Sequence, residues 1–233
     1  MTVADELKAR AEARELLKLL WQRRREIWNT PPDLAALIPI PVDVIARSLL
    51  GLTLEEPEEI PSEEPGVETA GLMDRPTCLI VAAQKFPYEW RRFTIAHEIG
   101  HWVLHPNVRY HRDRPLNGGE HANASRPKEE QEVDKFASEL LMPTRVLNMY
   151  FLEMFGKPID GRVSTSALAQ DLSSIGNRFI TREELSRGLR FRSMLVANLS
   201  ANQFGAYFPP IAKRFGVSTT AMAIQLENLQ LVR

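Results

Sequence analysis

Arg91 to Pro106 reads RRFTIAHEIGHWVLHP, and His97, Glu98 and His101 within it form the pattern HExxH. Four helical residues turn the chain about 400°, so two histidines at this spacing lie within about 40° of each other and their imidazoles point one way. Such a pair suits a metal ion. Glu98, one residue along, is placed to reach water at the remaining coordination position and act as its general base. The bland alternative is two helix histidines that meet by accident. Phe93, Ile95, Ala96, Ile99, Trp102, Val103 and Leu104 make the segment nearly apolar, however, and polar groups buried among such neighbours need partners, which a metal would supply.

A catalytic zinc normally takes three protein ligands and keeps one position open, so a third ligand has to come from elsewhere. Lys128 to Pro143, KEEQEVDKFASELLMP, offers the candidates. Val133, Phe136, Ala137, Leu140 and Leu141 recur at helical spacing and Pro143 ends the run. Glu130 and Asp134 share a face of that helix. Glu130 is read as the third ligand and Asp134 as the group that steadies a ligating imidazole. Glu129 and Glu132 are the rivals, turned about 100° and 200° away from Glu130. Glu129 also fits a solvated helix start, where acidic side chains favour the macrodipole.

RFTIAHEIGHWVLH followed by ExxxDxFASELLMP resembles the ImmA/IrrE-type zinc metallopeptidases, whose site layout is similar to that of thermolysin-like zincins. GLMDRPTCLIVAA (Gly71 to Ala83) and PVDVIARSLLGL (Pro41 to Leu52) extend the likeness over roughly residues 15 to 145. The resemblance implies an α+β zincin-like core, a small sheet with the HExxH helix and a ligand helix, holding zinc (or manganese as a substitute) through His97, His101 and Glu130, with Glu98 as base. It further implies a bacterial cytoplasmic protease that cleaves a helix-turn-helix repressor or antitoxin, often under stress. Val133-Asp134 departs from the more usual Ala-Asn, but Asp keeps the polar role.

Composition is compatible with these expectations. A chain of 233 residues with 44% hydrophobic content can bury a full core. The reading divides it into a metallopeptidase domain over 1–145 and a mostly helical region over 146–233. One cysteine, Cys78, rules out an intramolecular disulfide framework, and within TCLIVAA it reads as a buried strand thiol. The charged start, with Asp5, Glu6, Lys8 and Arg10, does not look like a signal peptide, and no stretch approaches 18 apolar residues, so a cytoplasmic chain without membrane contact is expected. A net charge of −1 gives no global electrostatic reason to expect nucleic acid as the main partner.

Along the chain, Asp5 to Trp28 reads as an amphipathic helix with Leu7, Leu16, Leu20 and Ile27 near one face, and Pro41 to Leu50 as a second helix closed by Gly51. Glu55 to Glu68, with seven glutamates and three prolines, reads as a loop. Val67 to Met73 and Cys78 to Ala83 read as strands joined by a turn at Asp74-Arg75-Pro76. They precede the HExxH helix, and a sheet edge beside a metal can bind extended peptide through its main chain. His105 to Lys128 reads as a loop. Its histidines, His105, His111 and His121, lack ligand spacing and read as surface residues, with His111 or Tyr110 as minor candidates for transition-state stabilisation.

Pro210 to Leu231 resembles a helix-turn-helix, with Ser218 as the N-cap of a second helix that turns Ala221, Ile224 and Leu229 inward. That helix offers Thr219, Thr220, Met222, Gln225 and Asn228 but no basic residue, so packing or protein contact is favoured over DNA readout. The function expected is therefore a zinc-dependent endopeptidase. The alternatives are a DNA-binding transcription regulator with a structural metal site, and the protease component of a toxin–antitoxin pair.

Overall fold

The computed structural model describes residues 1–61, 68–113, 127–161, 164–176, 178–203 and 206–233. They form a mixed α+β structure of two compact units, Met1–Leu141 and Met142–Arg233.

In the first unit, helix α1 (Val3–Ile27) begins at a reciprocal cap: the Thr2 hydroxyl accepts from the Asp5 amide, and the Asp5 carboxylate accepts from the Thr2 amide. Its buried stripe is Ala9, Ala13, Leu16 and Leu20, a helical face on which alanines allow close approach. Leu7, expected on that face, is exposed. The second helix starts as a single turn, α2 (Val42–Val44), and widens into a π-helical turn at Ile45–Leu49 before Gly51, whose φ of +67° suits glycine.

Strands β1 (Thr53–Glu55), β2 (Gly71–Asp74), β3 (Leu79–Ala82) and β4 (Tyr110–Asp113) make a four-stranded sheet in the order β1-β3-β2-β4. β1 runs parallel to β3, whereas β2 is antiparallel to both β3 and β4. The β2–β3 turn falls where the sequence suggests, but Cys78 lies in it, exposed and at φ +53°, instead of inside the strand. β4 falls in the segment expected to be a loop: Tyr-His-Arg-Asp carries no apolar alternation, and only pairing with β2 makes it a strand. Of the glutamate-rich loop, residues 62–67 lie outside the described residues, and so does His121.

Helix α3 (Tyr88–Leu104) lies on the sheet and α4 (Lys128–Leu141) lies on α3. Both contacts need a missing side chain. A Cβ at Gly71 would meet Thr94 Cγ2 at 2.3 Å, and one at Gly100 would meet Val133 Cγ1 at 2.7 Å. On α4, Val133, Phe136, Ala137, Leu140 and Leu141 are all buried, as their spacing predicts. Each large one contributes about 1.5–3 kcal/mol of transfer free energy. The outer end of α3 is closed by Arg75 from the β2–β3 turn: its guanidinium donates to the carbonyls of His101, Trp102, His105 and Val108 and stacks on the Trp102 ring.

The second unit holds α5 (Thr144–Phe155), α6 (Thr165–Ile175), α7 (Arg182–Ser186), α8 (Leu189–Ala197), α9 (Ile211–Phe215) and α10 (Thr219–Asn228). A short hairpin, β5 (Ala201–Gln203) with β6 (Ala206–Phe208), interrupts the helices. Ser218 caps α10 as expected, accepting from the Ala221 amide. The buried face differs from the one expected: Met222, Ala223, Gln225 and Leu226 are inside. Among the described residues, no helix is long and apolar enough to cross a membrane.

Candidate metal centre

The two HExxH histidines are buried on the inner face of α3 with their Nε2 atoms 3.2 Å apart. Glu130, from the first turn of α4, straddles them. Its Oε2 is 3.2 Å from His97 Nε2 and its Oε1 is 3.3 Å from His101 Nε2. The α3–α4 contact through Gly100 brings this carboxylate in. Its rivals point elsewhere: Glu129 is exposed, and Glu132 Oε2 lies 3.4 Å from His105 Nε2. Asp134 Oδ1 sits 3.2 Å from His97 Nδ1, at ion-pair distance but without hydrogen-bond alignment. The structure thus brings His97, Glu98, His101, Glu130 and Asp134 into one place.

Two histidines read as surface residues also belong here. His105, the C-cap of α3, follows His101 by four residues, and their Nδ1 atoms are 3.1 Å apart. That spacing was legible, since it repeats the step from His97 to His101. His111 arrives from β4. Opposite residues of paired strands share a sheet face, and His111 pairs with buried Met73, while Asp113 pairs with Gly71, which touches Thr94 and Glu98 of α3. His111 therefore faces the cluster, with Nε2 2.9 Å from Glu130 Oε1 and Nδ1 3.1 Å from Glu98 Oε2. No local spacing announces this, because the register of β4 is set by β2.

The electrostatics suit a cation. Burial works against charge on His97, yet Asp113, Asp134 and Glu130 hold its pKa well above the ordinary value. Burial likewise opposes charge on His111, but its contacts with Glu130 and Glu98 raise it to about 9. His101 goes the other way: burial, only partly offset by Glu130 and reinforced by the neighbouring His97 and His111, lowers it to about 4. Burial would raise Glu130, but hydrogen bonds from His101, His111 and His97 keep it far below the usual carboxylate range. The carboxylates hold positive charge at their centre, which protons supply on the imidazoles and a divalent ion would replace.

The donors fit such an ion. Ligands about 2.0–2.1 Å from a tetrahedral zinc stand about 3.3 Å from one another, close to the 3.2–3.3 Å separations among His97, His101 and Glu130. His97, His101, His111 and Glu130 can each offer one atom, all within 4.8 Å of one another. Glu98 is fully buried beside them, and its Oε1 has no hydrogen-bond partner among the described residues. A buried carboxylate oxygen left in this way is unusual outside functional sites.

An HExxH helix on a sheet, met by an acidic helix to make a cluster able to hold a metal, is a peptidase-type centre. Residues 62–172 match the family model Peptidase_M78, described as the IrrE N-terminal-like domain. This stretch of the chain is therefore a domain of that peptidase family, the one the paired motifs resemble. No curated protein matches the chain.

Proposed function

We propose that the protein is a zinc-dependent endopeptidase in which His97, His101 and Glu130 hold the metal. The observation that carries this reading is Glu130: a carboxylate on a separate helix reaches both HExxH imidazoles at 3.2 and 3.3 Å. Zinc in that position supplies Lewis acidity toward a peptide carbonyl and toward water. Glu98 takes the proton of the attacking water and returns it to the departing amine nitrogen as the C–N bond breaks. Its burial against Gly71 fixes the carboxylate, so little reorganisation accompanies the transfer. Asp134 holds His97 with Nε2 toward the donors.

The proposed substrate is a protein partner in the cytoplasm, a helix-turn-helix repressor or antitoxin, cleaved in a stress response. The rival DNA-reading role for α10 is disfavoured because Met222 and Gln225, two of the side chains that would read bases, are buried. Glu98→Gln is the test of the chemistry. With zinc and the candidate repressor, the variant should keep its metal and its fold, bind the repressor, and cleave it on the order of a hundredfold more slowly or worse. Equal cleavage by both proteins, or loss of zinc from the variant, would refute the assignment.

A further inference from the structure

We propose that His111 is a fourth ligand to the same metal, so that the resting site is closed and His111 has to leave before the site can act. The inference rests on the metallopeptidase reading above. Three imidazoles reach the centre, and each has its second nitrogen against a polar group. His97 turns Nε2 inward, with Nδ1 against Asp134; His101 does the same, with Nδ1 against His105; His111 places Nε2 on Glu130 and Nδ1 on Glu98. A ring with one nitrogen among the donors and the other tied to a carboxylate or another polar group is how proteins hold a ligating histidine.

The backbone reinforces the placement. His111 comes from a strand whose register with β2 is fixed at Met73; its ring stacks on that of His101 with centroids 3.6 Å apart, closer than two imidazoles on one tetrahedral zinc stand, so binding the metal would draw the two rings apart. A site with four protein donors has no open position, which is the mark of a structural and not a catalytic zinc. His111 also engages Glu98 Oε2, so one contact occupies the fourth position and one oxygen of the general base together. Release of His111 would open the metal and free the base in a single motion. β4 is bonded to β2 on one side and, among the described strands, ends the sheet on the other.

Counting the ligating imidazoles tests this without reference to cleavage. The full-length chain is loaded with cobalt(II), and the exchangeable imidazole N–H resonances shifted by the paramagnetic ion are counted by NMR. Three are expected in the wild type and two in His111→Ala and His111→Gln. Azide should alter the cobalt absorption spectrum of either variant and leave that of the wild type unchanged, and chelator competition should show zinc held at least about tenfold more weakly in the variants. Two shifted resonances in the wild type, with an azide response, overturn the proposal and leave the three-ligand enzyme standing. A wild type that takes up neither cobalt nor zinc overturns both. Should a variant fail to fold, the wild-type count and azide response decide.

Discussion

Gly100, inside HExxH, fixes how near the two ligand helices can come. Alanine there would gain about 1 kcal/mol in helix propensity. It would also press a methyl group to 2.7 Å from Val133 and 3.1 Å from Phe136, both fully buried. Overpacking of that kind costs about 1–3 kcal/mol and outweighs the gain. Gly100→Ala should therefore lower the urea midpoint and weaken metal binding, because Glu130 rides on the displaced helix; a variant as stable as the wild type would show that α4 can retreat freely. Ligand substitutions should rank by geometry. His97→Ala, His101→Ala and Glu130→Gln should each remove the metal, Glu132→Gln should weaken it through His105, and Glu129→Gln, exposed, should leave it bound. Metal content after dialysis reads the order, and greater loss from Glu129→Gln than from Glu130→Gln would move the site.

Among the elements, α1 is fastened across α4 by charge. Arg14 reaches the buried Glu139 at 2.8 Å, Lys128 reaches Asp5 at 3.0 Å, and Lys135 approaches Glu6. Burial would raise the pKa of Glu6, but Arg10 and Lys135 outweigh it and hold it below its ordinary value of 4.5. A carboxyl lowered in the folded state contributes stability above its unfolded pKa, and the contribution is lost as pH falls through the folded value. Glu6→Gln should accordingly be slightly less stable than the wild type near neutrality, by less than about 1 kcal/mol for a pair still open to solvent, and the difference should shrink in acid as the pH falls below 4.5. Thermal melts near neutrality and in acid check it; a gap that widens in acid would contradict the pairing. Elements also differed in how openly they could be read. α4 declared itself through Val133, Phe136 and Leu140, because a helix buries residues by a period within one segment. β4 did not, since a strand of polar residues owes its existence to a partner some 40 residues earlier in the chain. His111 was hidden for the same reason, whereas His105 lay in plain view at the next turn after His101.

At the scale of the molecule, every residue assigned to the centre, from Gly71 to Asp134, lies within Met1–Leu141. A fragment ending after Leu141 should bind one zinc per chain with an affinity near that of the whole protein, as isothermal titration would show. A fragment that folds but binds no metal would mean that the second unit completes the site. The sequence pattern pointed to the centre through His97, His101 and Glu130 and kept His111 only as a minor candidate, without the strand that delivers it, because HExxH is a local code and a sheet is not. The guanidinium of Arg75 carries a last consequence. Hairpin turns are where proteins usually accept extra residues, tags and cleavage sites. This one is bolted to the end of α3 and the loop that follows it by four carbonyl contacts. Lengthening the Asp74–Cys78 turn would draw that bolt, so a place that looks disposable from its exposure behaves instead as part of the frame.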